Sequence, residues 1–126
     1  MTDPSAAGDV LVVDDSADIR LLARRLLERG GYEVRAAASA EEALVLIGEQ
    51  APAVILLDLG LPGMNGWDLL DSLRDTGRLD RTRVIIFSAH VDPREARRAP
   101  HEGASGYLTK PFTGDQLLAS VRGDGP

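Results

Sequence analysis

The chain has 126 residues, of which 44% are hydrophobic and 27% are charged, and its formal net charge is −6. This size and composition are typical of one globular domain with a single core, and the acidic balance argues against non-specific binding to nucleic acid. The absence of cysteine excludes disulfides, thiolate nucleophiles and cysteine-based zinc sites, and the longest apolar runs are far too short to span a bilayer.

The first half of the chain is predicted to form two β-strands, each followed by a helix. A continuous apolar run at residues 10–13 is typical of a strand buried on both faces, and the alternating pattern at 32–37 favours an edge strand. The first helix is expected to end at Gly30 and Gly31, and a capping-box pattern at 39–42 predicts the start of the second. The apolar face of the first helix is predicted to carry Ile19, Leu22, Leu26 and Leu27, opposite a face with Arg20, Arg24 and Glu28.

The second half of the chain repeats this alternation of strands and helices. Apolar runs at 53–57 and 84–87 predict two more buried strands, and residues 105–109 form a weaker fifth candidate. A third helix is expected to start after Gly66, and a last one is expected over about residues 114–122.

The fourth helix is predicted to be short. Its start is well specified, because residues 92–95 place Asp, Pro and Glu at favourable positions of a helix N-terminus. Pro100 lacks the N–H that would bond to the Ala96 carbonyl, and its ring crowds that carbonyl, which costs about 3 kcal/mol inside a helix. We therefore expect regular helix to stop near residues 98–99 and to leave residues 101–103 in a loop, so that the short helix would move easily.

Five strand–helix units in one short chain predict a single doubly wound α/β domain, with a five-stranded parallel sheet covered by helices on both faces. We assign residues 9–122 to this domain, residues 1–8 to a flexible leader and residues 123–126 to a tail. The acidic leader has no apolar segment that would indicate a signal peptide, so we expect a cytoplasmic protein. Ligands of such sheets bind outside the carboxyl ends of the strands.

Polar residues follow the predicted strands at this edge of the sheet. The residues that directly follow the first, third, fourth and fifth strands are Asp14 and Asp15, Asp58, Ser88, and Lys110. Lys110 is the one lysine among the 14 lysine and arginine residues of the chain, which indicates a role that needs a compact ammonium group. Each residue alone has an ordinary explanation as a cap or a turn former, but their convergence at one edge indicates a functional site.

The chemistry of these residues fits the transfer of a phosphoryl group. Three carboxylates in one place repel one another unless a cation lies among them, and hard oxygen ligands suit Mg²⁺ or Mn²⁺. A divalent ion, a hydroxyl and an ammonium group around one aspartate are the components of a phosphoryl-transfer site. The pattern therefore indicates Asp58 as the acceptor, with the metal and Lys110 spreading the charge of the moving group.

Four segments carry a resemblance to a known family. They are LVVDDS at 11–16, LLDLGLPGMNG at 56–66, VIIFSA at 84–89 and GYLTKPF at 106–112. Through them the sequence resembles a response-regulator receiver domain of two-component and phosphorelay signalling, over essentially the whole chain. The resemblance implies a flavodoxin-like sheet with strand order 2-1-3-4-5.

The resemblance also implies a role for each acidic residue of the site. Asp58 would be the phosphoacceptor that forms an aspartyl phosphate. Asp15, Asp58 and the backbone carbonyl of Gly60 would bind the metal directly, and Asp14 would bind it through a water molecule.

The resemblance further implies roles for residues near the ends of the last two strands. The Ser88 hydroxyl would contact it in the switched state, and Tyr107 would turn inward behind Ser88. Lys110 would form a salt bridge in the site, and the Lys110–Pro111 peptide bond is expected to be cis.

In function, the resemblance implies a phosphoprotein rather than a conventional turnover enzyme. It would take its phosphoryl group from phosphohistidine on a histidine kinase or a histidine phosphotransfer protein, and lose it by metal-dependent hydrolysis. In between, the surface of its fourth helix, fifth strand and fifth helix would change and be read by a downstream output protein or domain. We expect no nucleic-acid or membrane contact by this domain, which is either a stand-alone receiver or a piece of a longer chain.

Three other functions are weighed against this one. A flavin-binding electron carrier has a similar sheet, but Asp14 and Asp15 would repel its cofactor phosphate. A phosphorylation-independent receiver-like interaction module would have the same fold, and the presence of all five polar site residues argues against it. A Mg²⁺-dependent phosphatase is disfavoured, because the sequence DLG at 58–60 lacks a second aspartate two residues after the acceptor.

Overall fold

The computed structural model describes residues 8–61, 63–88 and 92–123. Within these ranges the chain forms parallel β-strands that alternate with α-helices. The strands are β1 (Asp9–Val13), β2 (Glu33–Ala37), β3 (Val54–Asp58), β4 (Arg83–Ser88) and β5 (Gly106–Thr109). The helices are α1 (Ala17–Arg29), α2 (Ala40–Glu49), α3 (Gly66–Asp75), α4 (Pro93–His101) and α5 (Gly114–Arg122), and a 3₁₀ turn at Arg78–Asp80 follows α3.

The strands form one sheet with the order β2-β1-β3-β4-β5, and every pairing is parallel. This confirms the doubly wound fold and the strand order that the resemblance implies. The register pairs Val13 with Leu57, Asp58 with Phe87 and Ser88 with Thr109. The carboxyl ends of four strands therefore lie side by side, and the residues that follow them meet at one edge.

Two apolar clusters, one on each face of the sheet, form the core. One contains buried residues of α2 and α3, and the other contains buried residues of α1 and α5. All five residues of β3 are buried, since this central strand is covered on both faces. The continuous apolar runs of the sequence correspond to these covered strands, which is why their predicted bounds agree with the structure to within one residue.

The edge strand β2 carries a charged residue that contacts the neighbouring helix. The guanidinium of Arg35 donates to the backbone carbonyls of Leu46 and Gln50 near the end of α2, at 2.9 and 2.7 Å. It also pairs with the carboxylate of Asp9 on β1 at 2.8 Å. Arg35 thus adds hydrogen bonds to carbonyl groups at the end of α2, of which the Leu46 carbonyl also accepts from the Gln50 N–H.

The helix termini are specified by side chains, in two cases more completely than predicted. At α2 the Ser39 side chain accepts from the Glu42 N–H, as the capping pattern predicts. Full capping boxes, with both reciprocal bonds, occur at α3 and α5, where the paired residues are Asn65 with Asp68 and Thr113 with Gln116. These caps set the start of each helix directly after the loops that border the carboxyl edge of the sheet.

The predicted apolar face of α1 is partly wrong. Leu22 is 45% exposed, whereas Ala23 is fully buried. Residues 19, 23 and 27 follow one another at the helical spacing of four, so the small Ala23 occupies the position nearest the sheet. Arg24 also lies closer to the sheet than expected, because its guanidinium donates to the Val34 carbonyl at 3.0 Å.

The expectation that the fourth helix stops near residues 98–99 is wrong. α4 runs through Pro100 to His101. A proline in the last turn removes only one hydrogen bond, and the Glu102 N–H completes that turn by donating to the carbonyls of Arg98 and Ala99 at 3.1 and 3.2 Å. Ala99 is 2% exposed and packs into the core, so tertiary packing offsets the local cost of the proline.

Some predicted features lie outside the described residues. Most of the leader predicted at 1–8 and of the tail predicted at 123–126 belongs to this group. In the described part of the chain, no helix combines the length and the hydropathy needed to cross a membrane.

Gly66 allows α3 to begin against the end of β3, and its replacement is expected to be destabilising. A Cβ atom at Gly66 would lie 2.6 Å from the Asp58 carbonyl oxygen and 2.8 Å from the Cα of Leu59. Backbone atoms cannot move aside cheaply, so we expect Gly66→Ala to lower the free energy of unfolding by about 1–3 kcal/mol in urea titrations. Gly48→Ala is the matched control.

A Cβ atom at Gly48 would meet nothing within 4 Å, and the residue lies inside α2. Gly48→Ala should therefore stabilise the protein by about 0.5–1 kcal/mol. Equal effects of the two substitutions would contradict the close approach of backbone at Gly66.

Candidate functional site

Asp58 lies at the floor of a cleft at the carboxyl edge of the sheet. It is the last residue of β3 and is 9% exposed. Its Oδ1 accepts a hydrogen bond from the Gly60 N–H at 3.1 Å. The cleft has a volume of about 420 Å³, and its lining residues are Asp58, Leu59, Gly60, Asn65, Trp67, Ser88, Glu95 and Lys110.

Two further carboxylates lie beside Asp58. Asp14 is 1% exposed and Asp15 is exposed, and both follow β1. Each of the three residues offers a carboxylate oxygen within 4.8 Å of the others, so the cluster could hold a metal ion. The donor set is entirely carboxylate oxygen, which fits a hard divalent cation such as Mg²⁺.

Asp14 is held in place by several hydrogen bonds. Its Oδ1 accepts from the Ser16 N–H at 2.9 Å, and its Oδ2 accepts from the Lys110 ammonium at 2.5 Å. Its backbone carbonyl accepts from the Arg20 guanidinium at 2.8 Å. Because both carboxylate oxygens already have partners, Asp14 is less available than Asp15 for direct contact with a metal.

The ammonium of Lys110 lies between the carboxylates and an aromatic ring. Its Nζ is 3.8 Å from Asp58 Oδ2 and 4.5 Å from the centroid of the Phe87 ring, in a cation–π geometry. The Lys110 N–H donates to the Ser88 carbonyl at 2.7 Å, and the Lys110–Pro111 peptide bond is cis. Only 14% of the Lys110 side chain is exposed.

The surroundings of Asp58 disfavour its charged form. Burial raises the pKa of Asp58 above its ordinary value, and the nearby charges of Asp14 and Asp15 raise this pKa further. The hydrogen bond from Gly60 and the charge of Lys110 act in the opposite direction, but they do not compensate fully. In the metal-free protein, the ionised Asp58 therefore reduces the stability of the fold.

Removing this charge is expected to stabilise the metal-free protein. Since the pKa of Asp58 is higher in the folded state, the cost is absent below the pKa of the unfolded chain and fully present above the folded pKa. Asp58→Asn should therefore raise the Tm at pH 7, and the gain should disappear towards about pH 3. A change of about 1 kcal/mol corresponds to roughly 3–6 °C in a domain of this size.

Calorimetry in the presence of a chelator measures this effect at both pH values. Asp75→Asn, in which the replaced side chain is 74% exposed, is the control and should change the Tm little. A Tm of Asp58→Asn below that of the wild type at pH 7 would contradict the electrostatic account.

Ser88 lies at the end of β4, the strand next to β3, and Tyr107 lies on β5, which pairs with β4. Ser88 is 7% exposed and lines the cleft. Tyr107 is partly buried, packs against the cluster formed with α2 and α3, and its hydroxyl donates to Glu95 Oε1 at 3.4 Å. The structure thus brings the five polar residues that follow the predicted strands to one edge of the sheet. Tyr107 is connected to the cleft by its contact with the lining residue Glu95.

Besides the apolar Leu59, sequence reasoning missed three residues of the cleft, which are Asn65, Trp67 and Glu95. None follows a strand directly, so the search of strand ends passed over them. Asn65 could have been found as the N-cap of α3, since Asn is favoured at that position. No comparable signal marks Trp67 or Glu95 as cleft residues.

Trp67 also connects α3 to α4. The guanidinium carbon of Arg98 lies 4.2 Å from the centroid of the Trp67 ring. A second contact joins Arg74 of α3 to Glu102 after α4, at 2.9 Å. These contacts hold α4 against α3. Glu95, in the first turn of α4, lines the cleft.

The fold and the acidic cluster together define the class of protein, a doubly wound α/β domain with a candidate metal site around an aspartate at the end of its central strand. The family model of the response regulator receiver domain matches residues 10–122. The chain belongs to this family, whose members act in two-component systems.

Relatives in sequence support the same family. The chain is 42% identical, over 113 residues, to the transcriptional regulatory protein KdpE of Mycobacterium tuberculosis, covering 90% of this chain and 49% of KdpE. It is 36% identical to the sensory/regulatory protein RpfC of Xanthomonas campestris, covering 89% of this chain and 16% of RpfC. The chain therefore spans about half the length of the first of these relatives and a small part of the second.

Similar solved structures support the same family as the relatives in sequence. The chemotaxis protein CheY4 of Vibrio cholerae is 32% identical, with a TM-score of 0.84 and coverage of 90% of this chain and 95% of that one. The receiver domain of the Francisella response regulator 1452 is 34% identical, with a TM-score of 0.84 and coverage of 90% and 93%.

Proposed function

We propose that the protein is a phosphoacceptor that takes a phosphoryl group onto Asp58 and passes the signal on through a change of its surface. The observation that carries this proposal is the position of Asp58, which lies nearly buried in an open cleft, within an acidic cluster and 3.8 Å from the ammonium of Lys110. A carboxylate in such a place is a nucleophile with cationic groups close to the position of the incoming phosphate.

The proposed metal is Mg²⁺ or Mn²⁺. Asp15, Asp58 and the Gly60 carbonyl would be its direct ligands, and Asp14 would act through a water molecule. When bound, the ion offsets the negative charge of the carboxylates and of the phosphoryl group. The arrangement of Asp14 supports its indirect role, because both of its carboxylate oxygens already accept hydrogen bonds.

The donor would be phosphohistidine on a histidine kinase or on a histidine phosphotransfer protein. In the transfer, an Asp58 carboxylate oxygen forms the new O–P bond, and the P–N bond breaks with its electron pair left on the imidazole nitrogen. Lys110 would spread the charge of the moving group over its ammonium. Hydrolysis of the aspartyl phosphate returns inorganic phosphate and the free carboxylate.

The phosphorylated state would be read at the surface formed by α4, β5 and α5. Ser88 and Lys110 would contact the phosphoryl group, and Tyr107 would turn inward behind Ser88. The names of the relatives, a transcriptional regulatory protein and a sensory/regulatory protein, support an output that regulates another protein or domain. We propose that this domain itself binds neither nucleic acid nor membrane and works in the cytoplasm.

Incubation with acetyl phosphate tests the proposal. We expect intact-mass measurement to find one added phosphoryl group in the presence of Mg²⁺ and none in the presence of a chelator. Removal of acetyl phosphate should be followed by loss of the group over time. An unlabelled protein at saturating Mg²⁺ would contradict the proposal and would instead favour a phosphorylation-independent interaction module.

A further inference from the structure

Residues 14–16 join β1 to α1 and carry two of the three clustered carboxylates. Several hydrogen bonds hold this short segment in place. The Asp14 N–H donates to the Ala37 carbonyl at 3.1 Å, and the Ser16 N–H donates to Asp14 Oδ1 at 2.9 Å. A further bond comes from α1, where the Arg20 guanidinium donates to the Asp14 carbonyl at 2.8 Å. Arg20 thus contacts the backbone of the acidic segment from outside that segment.

The Asp14 carbonyl belongs to the peptide bond that leads into Asp15. A peptide bond is planar, so the Asp14 carbonyl and the Asp15 N–H lie in one plane with the Cα atoms of both residues. A hydrogen bond to the carbonyl oxygen therefore restricts the orientation of this plane, and with it the direction in which the Asp15 side chain leaves the backbone. Asp15 is exposed, so burial does not fix its carboxylate.

We propose that Arg20 is a positioning residue that orients Asp15 for the binding of a divalent cation. The inference rests on the proposed function, in which Asp15 is a direct ligand of Mg²⁺ or Mn²⁺. Arg20 has the same sign of charge as the ion and is not itself a ligand. It acts through the Asp14 carbonyl, and because the peptide plane is held beforehand, less conformational freedom is lost when the ion binds.

The charge of Arg20 and its hydrogen bond predict changes of opposite sign in metal affinity. A guanidinium near the cluster repels a divalent cation, so the loss of this charge alone would tighten metal binding. Loss of the hydrogen bond to Asp14 would weaken metal binding, because groups that orient metal ligands contribute to affinity. Arg20→Met removes both, and methionine keeps an unbranched apolar stem in place of the arginine stem. We expect the hydrogen bond to outweigh the charge, since Arg20 is partly exposed and water and salt screen it.

Arg24→Met is the matched control. Arg24 lies one turn further along α1, and its guanidinium also donates to a backbone carbonyl, that of Val34 on β2, at 3.0 Å. The control therefore removes the same charge and the same kind of bond from the same helix, but leaves the acidic segment untouched. Arg20→Lys is a second variant, which keeps the charge but carries a compact ammonium with a shorter reach.

Metal binding is measured in two ways. Titration with Mg²⁺, followed by the fluorescence of Trp67 in the cleft, gives the affinity. The labelling rate with acetyl phosphate, measured against Mg²⁺ concentration, gives a midpoint and a plateau. Calorimetry with a chelator compares the metal-free Tm of Arg20→Met and Arg24→Met, which should fall by similar amounts.

In Arg20→Met we expect both midpoints to rise about tenfold. The plateau of the labelling rate should stay close to that of the wild type, because saturating metal restores the bound arrangement of the ligands. Arg20→Lys should show a smaller rise. Arg24→Met should have the wild-type midpoints and plateau.

The possible failures can be told apart. A midpoint in Arg20→Met at or below that of the wild type would overturn the positioning role, and so would a lower plateau at an unchanged midpoint. An equal rise in Arg24→Met would overturn it as well, since the effect would then belong to α1 in general. If Arg20→Met does not fold, an unchanged midpoint in Arg20→Lys decides against the role. A wild-type protein in which neither fluorescence nor labelling responds to Mg²⁺ would overturn the proposed function instead.

Discussion

Asp58→Asn is expected to abolish phosphorylation by acetyl phosphate. The amide that replaces the carboxylate has no anionic oxygen to attack phosphorus, and one of the proposed metal ligands is lost with it. The labelling rate should fall at least about 100-fold, which corresponds to roughly 2.7 kcal/mol of barrier. Intact mass after incubation with acetyl phosphate and Mg²⁺ measures this rate.

Asp75→Asn is again a suitable control, because its exposed carboxylate at the end of α3 is remote from the cleft, and it should label like the wild type. Peptide mapping of the labelled wild type should place the group on Asp58 rather than on Asp14 or Asp15. Labelling of Asp58→Asn to the wild-type extent would exclude Asp58 as the acceptor.

The second large effect is expected from Lys110→Arg. The Lys110 ammonium lies within 2.5 Å of Asp14 Oδ2 and 4.5 Å from the Phe87 ring centroid, and its side chain is 14% exposed. The planar, broader guanidinium does not fit this enclosed position, although its charge is the same. We expect the labelling rate to fall at least about tenfold, which corresponds to roughly 1.4 kcal/mol of barrier. We also expect the inward turn of Tyr107 on phosphorylation to be lost.

Metal binding should survive this substitution, because Lys110 is not a proposed ligand. Trp67 is the only tryptophan and lines the cleft, so its fluorescence can follow a Mg²⁺ titration. The affinity should stay within about threefold of the wild type, or roughly 0.7 kcal/mol. Lys110→Met, which removes the charge but keeps an unbranched side chain, separates charge from shape. Wild-type labelling and switching in Lys110→Arg would show that a compact ammonium is not required.

The sequence predicted those features that are set locally or by strand order. Continuous apolar runs identified β1, β3 and β4, because a strand covered on both faces has no polar side. Since carboxyl ends of parallel strands meet at one edge, Asp14, Asp58 and Lys110 could be brought together before the structure was known. These inferences needed the order of the elements but no knowledge of how the side chains pack.

Features that depend on packing between distant elements were not predicted. Pro100 lowers helix stability locally, yet the burial of Ala99 and the bonds made by Glu102 extend α4 beyond it. Likewise, the position of Phe87 under the Lys110 ammonium results from side-chain packing across β4 and β5, which sequence spacing does not reveal. Local propensity was outweighed in these places by contacts between residues far apart in the chain.

The two outer strands of the sheet affect how the protein behaves at high concentration. Within the described part of the chain, β2 and β5 each have a neighbouring strand on one side only, and such edges can pair with strands of other molecules and start aggregation. On β2 the side chain of Arg35 is charged, and charged residues on an edge strand disfavour such pairing. β5 is only four residues long and offers little length for pairing. Both edges are therefore expected to be poor templates for intermolecular β-sheet formation.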